Sequence, residues 1–202
     1  MLTIWGRLNS HNVKKVAWAA IEMDIPHRRI DIGGQFGFTP DCLAMNPNRL
    51  IPTIEDDGFV LWESNAILRY LGQRYGGSLF PADPQQRAAG DKWMDWQFSY
   101  AEAQRGCFVG LVRQSPDQRD PAAIARSAAA SGEMMKILDD ELGRTPWLSG
   151  PEFGIADIPM GVYAYTFFSL AIDRPSLPHV EAWYAKLKER DGFASQVMIP
   201  LT

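Results

Sequence analysis

Cysteine is scarce in this chain of 202 residues. Cys42 and Cys107 stand far apart, form no C-x-x-C pair and match no zinc spacing, which excludes a disulfide scaffold or a metal knuckle. The three histidines, His11, His27 and His179, are scattered, so no metal site is expected. Basic charge is not in excess: 20 Lys and Arg against 24 Asp and Glu leave a net charge of −4. Nucleic-acid binding driven by phosphate contacts needs a basic footprint, and none is present. Long apolar runs are missing too. The stretch Ile158 to Ile172 contains Pro159 and falls short of the roughly 20 residues of a membrane span. It reads as a buried helix. The start, Met1-Leu2-Thr3-Ile4-Trp5-Gly6-Arg7, has no long apolar stretch of the signal-peptide kind. A cytoplasmic protein without membrane or nucleic-acid partners is expected. Hydrophobic residues at 46 % and charged residues at 22 % are ordinary for a globular chain that can bury a sizeable core.

The first 80 residues alternate between strand and helix patterns. Leu2 to Trp5 is a short strand closed by Gly6. From His11 the period changes: Val13, Val16, Ala17, Ala20 and Ile21 recur at helical spacing, while Lys14, Lys15 and Glu22 fall off that face. Pro26 ends the helix, and His27 to Ile32 reads as a second strand before Gly33-Gly34. The segment that follows is read as irregular. Thr53-Ile54-Glu55 and Phe59-Val60-Leu61, joined by Asp56-Asp57-Gly58, form a hairpin. A further amphipathic helix carries Ala66, Ile67, Tyr70 and Leu71 and ends at Gly76-Gly77. This is a small α/β unit with a mixed sheet. Residues 79–87 carry two prolines and read as a linker. Beyond them everything is helical: Asp91 to Val112, Pro121 to Leu142, the buried run opened by Gly154-Ile155-Ala156-Asp157, and about Leu177 to Arg190. Two domains are expected, residues 1–80 and residues 88–202.

That order resembles the cytosolic glutathione transferase family. Four motifs carry the likeness over the whole chain: Trp5-Gly6-Arg7-Leu8-Asn9-Ser10-His11-Asn12, Asn46-Pro47-Asn48-Arg49-Leu50-Ile51-Pro52-Thr53, Glu63-Ser64-Asn65-Ala66-Ile67, and Phe153-Gly154-Ile155-Ala156-Asp157. The first is similar to small bacterial members with W-G-R-x-x-S-x-N at the first helix. The resemblance implies an α/β thioredoxin-like N-terminal domain plus an all-α helical C-terminal domain. It further implies glutathione as co-substrate, no metal, and a homodimer.

Such an enzyme makes a nucleophile from a thiol whose unperturbed pKa is about 8.5. Lowering it by about two units needs roughly 2.7 kcal/mol in favour of the thiolate. One or two hydrogen bonds to the charged sulfur, at about 1.5–3 kcal/mol each, supply that, and a helix N-terminus adds to it. Ser10 and Asn12 suit helix caps as residue types. The resemblance assigns them to the sulfur as the catalytic pair, with no cysteine in the loop for a mixed disulfide. It also implies a cis bond at Ile51-Pro52, whose backbone groups would pair with the tripeptide like an added strand. Glu63 and Ser64 at a helix start would hold the γ-glutamyl ammonium and carboxylate. Asn48 and Arg49 complete the expected glutathione site, and Trp62 is a further candidate. Arg49-Leu50 departs from the Gly-Lys of many members. The electrophile pocket is expected from Arg7, Leu8, Arg105, Phe108 and Arg113, with Tyr163 or Phe167. Its arginines suit a small anionic electrophile such as a halogenated carboxylic acid. Trp93, Trp96, Tyr163, Tyr165, Phe168 and Cys107 read as core more readily than as a ligand platform, and Asp157 as a structural acceptor near Gly154. Two other functions stay open: a glutathione-dependent disulfide-bond reductase, and a non-catalytic ligand-binding or interaction module.

Overall fold

A computed structural model describes residues 1–202. The N-terminal part is a four-stranded sheet of order β2-β1-β3-β4, built from β1 (Leu2–Trp5), β2 (His27–Ile30), β3 (Thr53–Asp56) and β4 (Phe59–Trp62). β2 runs parallel to β1, with Leu2 opposite His27. β3 pairs antiparallel with both β1 and β4. The β3–β4 turn needs two left-handed residues, which Asp57 (φ 50°) and Gly58 (φ 84°) supply. Strand β2 ends two residues before the expected Ile32, because the backbone N–H of Arg7 claims the Ile32 carbonyl for the loop after β1.

Helix α1 (His11–Glu22) packs against β1 and against α3 (Ser64–Tyr75). Between them, α2 (Pro40–Met45) occupies the segment read as irregular. Thr39 caps it by accepting from the Cys42 N–H, and Pro40 stands at its first position.

The C-terminal part holds α4 (Pro84–Phe108), α5 (Pro121–Leu142), α6 (Asp157–Ser169), α7 (Pro178–Lys188) and α8 (Asp191–Gln196). α4 begins inside the expected linker, because Asp83 accepts from the Gln86 N–H at 2.8 Å and Pro84 occupies the first helical position. It ends in a π turn over Val109–Arg113, where the wider ring carries the Gln114 N–H back to the Val109 carbonyl. α8 is additional to the expected helices; α7 closes at Glu189, and Arg190 takes the N-cap position of α8 in an extended conformation without a side-chain hydrogen bond.

The pattern of α1 misleads in one respect. Lys14 (2 % exposed) and Lys15 (0 %) are buried, whereas Ile21 is 37 % exposed. An amphipathic pattern presumes one wet face. Here β1, α3, α6 and α8 surround the helix, so nearly every position from 13 to 20 is covered. Trp18 on α1 anchors the two parts to each other. It packs on Phe153 and Phe193, and Gly161 of α6 lies so close that a Cβ there would sit 2.8 Å from its ring. Glu22 receives the Trp18 indole N–H at 2.7 Å and pairs with Arg190 at 2.6 Å.

Asp157 is fully buried at the start of α6. Its carboxylate accepts from the N–H groups of Leu148, Ser149 and Gly154 and from the Trp183 indole. Burial pushes its carboxyl up and these donors oppose that rise.

Candidate functional site

The loop from β1 to α1 is held at its base by Gly6. A Cβ at this residue (φ 151°) would come within 2.5 Å of Val13 and 3.2 Å of Ile51, so only glycine lets α1, the loop and the proline segment meet. Ser10 takes the N-cap position of α1 in an extended conformation, yet its hydroxyl makes no capping hydrogen bond. The first-turn N–H groups of α1 therefore have no capping side chain, and His11 and Asn12 of that turn line hollows described below. Asn12 stands in that turn, and its Oδ1 accepts from Ser64 Oγ at 3.3 Å.

The Ile51–Pro52 bond is cis. Neither the N–H nor the C=O of Ile51 pairs with another backbone group. The loop that presents them is built on Asn46, which is 4 % exposed. Its Nδ2 donates to the Leu50 carbonyl and to Thr53 Oγ1, and its Oδ1 accepts from the Asn48 N–H and the Asn48 amide. Asn48 is thus tied back to Asn46 although exposed, and Arg49 is exposed with φ 57°. Glu63, exposed at the N-cap of α3, has φ 72° and ψ 109° and does not cap that helix with its side chain. Ser64 beside it is buried.

These elements enclose two hollows. One, of about 70 Å³, is lined by Asn12, Asn46, Leu50, the Ile51–Pro52 pair, Glu63 and Ser64. The other, of about 370 Å³, lies against α4 and α6, with Asn12, His11, Phe98, Arg105, Phe108, Arg113 and Tyr163 among its walls. Asn12 belongs to both. Larger hollows of about 650 and 660 Å³ border α5 but contain no residue of α1 or of the proline loop.

Of the residues expected to take glutathione, Ile51, Pro52, Glu63 and Ser64 line the small hollow. Asn48, Arg49 and Trp62 do not, whereas Asn46 and Leu50 do. Of the expected electrophile pocket, Arg105, Phe108, Arg113 and Tyr163 share the larger hollow. Arg105 is exposed and lies 3.7 Å from Glu102, while Arg113 stacks 5.0 Å over the Phe108 ring. Arg7 is outside it: its guanidinium donates to Asn9 Oδ1 at 2.6 Å, and burial followed by the nearby Arg113 charge holds its pKa down. Leu8 lines neither hollow, and Phe167 is 0 % exposed in the core. His11 is sandwiched rather than free. It stacks on Tyr163, meets Phe108 edge-on and shares a 2.7 Å hydrogen bond with Thr166 Oγ1. Burial, with Lys14 and Lys15 nearby, pushes its pKa down to about 3, so the ring is neutral at pH 7 and is no imidazolium acid.

Known proteins share this arrangement. Residues 9–74 match the family model of the glutathione S-transferase N-terminal domain. Over the full length of both chains the sequence is 42 % identical to glutathione S-transferase GstB of Escherichia coli. It is 31 % identical to the disulfide-bond oxidoreductase YfcG of the same organism, over 84 % of this chain and 81 % of that one. Among solved structures, a theta class glutathione S-transferase from Xanthomonas axonopodis pv. citri, with glutathione bound, superimposes with a TM-score of 0.96. That match has 46 % identity over 100 % of this chain and 99 % of the other. A thioredoxin-like sheet, a helical second half, and a full-length relative at this identity lead to one conclusion: the chain belongs to the glutathione S-transferase family.

Proposed function

We propose that this glutathione S-transferase holds reduced glutathione across the proline loop and the start of α3, with its sulfur beside Ser10 and Asn12. The thiolate then transfers to a small electrophile bearing a carboxylate, for which a halogenated carboxylic acid is the chemical type. The single observation that carries this is the place of Asn12 in both hollows, so that a sulfur held by its amide faces the second cavity. Sulfur attacks the carbon, a C–S bond forms, and the halide leaves with the electron pair of the C–X bond. Ionisation and positioning do the work. The N–H and C=O of Ile51 are available to the cysteinyl backbone, and Glu63 to the γ-glutamyl ammonium. Arg105 and Arg113 supply the preference for an anion.

The test compares a halogenated acid with a neutral alkyl or aryl halide. Arg105→Ala and Arg113→Ala are each expected to lower kcat/KM for the acid about three- to fivefold, the worth of an exposed charge contact. The neutral substrate should change less than that. Equal loss for both substrates removes the anionic preference. Glutathione disulfide is the control: its preferential binding over the reduced form would favour the reductase reading, in keeping with the 31 % identical relative named a disulfide-bond oxidoreductase.

Glu63 allows stability and binding to be separated. A non-glycine residue at φ 72° carries strain of about 1–3 kcal/mol, part of which glycine's greater unfolded entropy offsets. Glu63→Gly is expected to raise Tm by about 2–4 °C. Loss of the carboxylate should weaken glutathione about tenfold, the worth of one charge-assisted contact. A lower Tm would show that the backbone there is unstrained, and unchanged affinity would remove Glu63 from the site.

A homodimer belongs to the same proposal. The edge strand β4 carries exposed Phe59 (48 %) and Trp62 (37 %), and α4 carries exposed Phe98 (49 %), apolar surface that a second subunit would cover. Sedimentation equilibrium reads this directly, with a monomer at micromolar concentration as the contrary result.

A further inference from the structure

One charged group beside the site has no assigned task. Lys15 lies three residues after Asn12 on α1 and is 0 % exposed. Its ammonium forms no ion pair. Its three partners are neutral oxygens: Gln97 Oε1 of α4, Asn65 Oδ1 at 3.3 Å and Ser64 Oγ at 3.4 Å. The rings of Tyr163 and Phe98 flank it at 5.6 and 5.7 Å. Burying a charge without a counter-charge is costly, and an apolar residue would fill such a place at less cost. The charged and titratable groups around it are Glu63 at the start of α3, His11 and Lys14 on its own helix, and Tyr163 on α6. Burial pushes the Lys15 ammonium down to about 7, with Glu63 acting in the opposite sense.

Donor and acceptor accounting fixes the direction of these contacts. In its charged form Lys15 only donates, so Ser64 Oγ then accepts from it. The one hydroxyl hydrogen of Ser64 is then directed to Asn12 Oδ1, 3.3 Å away. Asn12 receives at its carbonyl oxygen, which leaves its amide N–H groups, unpaired within the protein, as the end that donates outward. We propose that Lys15 is a positioning residue for the thiolate: acting through Ser64, it holds the Asn12 side chain with its amide N–H groups toward the sulfur. The proposal rests on the assignment of Asn12 to the sulfur made above. Without the ammonium, Ser64 Oγ can accept from Asn12 instead. The amide then turns over and presents its oxygen to the sulfur, where it repels a thiolate.

The experiment is a pH titration of the ultraviolet thiolate absorbance of reduced glutathione bound to the full-length protein, together with kcat and KM. Lys15→Met is expected to raise the ionisation midpoint by about one unit, tenfold in the ionisation constant, with KM for glutathione moved less than about threefold. Ser64→Ala should shift the midpoint the same way. Combined with Asn12→Ala, Lys15→Met should add nothing, because both changes act on one contact. An unmoved midpoint in both single variants overturns the proposal. So does a Lys15→Met shift that adds in full to that of Asn12→Ala. If Asn12→Ala alone leaves the midpoint in place, the sulfur assignment itself fails and the relay falls with it. Should Lys15→Met not fold, Ser64→Ala, a small truncation, decides by the same readout.

Discussion

Replacing Ser10 and Asn12 together by alanine is expected to move the ionisation midpoint of bound glutathione from about 6.5 back to about 8.5. Two hydrogen bonds to sulfur at about 1.5–3 kcal/mol each exceed the roughly 2.7 kcal/mol that two units require, so losing both cancels the shift. The rate at pH 7 is a blunter measure. The ionised fraction falls from about three quarters to about 3 %, roughly 25-fold. A more basic thiolate is intrinsically more reactive, and with a Brønsted slope of about 0.4–0.5 it regains roughly sevenfold to tenfold. A net loss of only about threefold in the chemical step is expected at pH 7, while the rising limb of the pH profile moves by the full two units. The single variants divide the effect: the larger shift marks the residue that makes the stronger contact. An unmoved limb in the double variant would leave the helix end alone responsible for the sulfur.

Asp157→Ala is expected to be the most damaging single change to the fold. Truncation strands three buried donors, the N–H groups of Leu148 and Gly154 and the Trp183 indole, and the half-buried N–H of Ser149. Each unmet donor costs about 1–3 kcal/mol, which puts the loss at about 4 kcal/mol or more. For a chain of this size that lowers Tm by about 8–16 °C. Thermal unfolding with and without the substitution reads it, and a fall of less than 3 °C would mean that water or a rearranged loop satisfies those donors. The damage should be one of stability, since Asp157 lines neither hollow and binding measured below the lowered Tm should be unaffected.

Much of this was legible in the residues, and the failures have physical causes. The β3–β4 turn declares itself by Asp57-Gly58, because few sequences tolerate two consecutive left-handed residues. The Pro121 helix is plain from its periodicity. An oxygen-bearing cap followed by proline starts it at Asp120-Pro121, and the same chemistry stands at Thr39-Pro40, in a segment read as irregular, and at Asp83-Pro84, where two prolines in a short span suggested a linker. In the site, Ser10, Asn12, Ile51-Pro52 and Glu63-Ser64 stand out as motifs; the fold brings Asn12, Ile51-Pro52 and Glu63-Ser64 to the small hollow, while Ser10 lines neither hollow and takes the N-cap position of α1 two residues before Asn12. Asn46 did not stand out, since its work is four hydrogen bonds inside one loop rather than contact along a pattern. Lys14 and Lys15 mislead because burial depends on what covers a helix. Lys14 reaches the Val197 carbonyl at 2.9 Å and Lys15 reaches Gln97, partners far along the chain that no local period reveals. Arg7 and Leu8 sit in the motif by sequence, but neither lines the second cavity; Arg7 stands near Arg113 and bonds Asn9 instead.

The most direct measurement is the ionisation of reduced glutathione on the unaltered protein, followed by ultraviolet thiolate absorbance across pH at saturating tripeptide. Ser10, Asn12 and the open end of α1 predict a midpoint about two units below that of the free thiol. A midpoint that stays near 8.5 while the tripeptide is demonstrably bound would contradict the placement of the sulfur at Ser10 and Asn12.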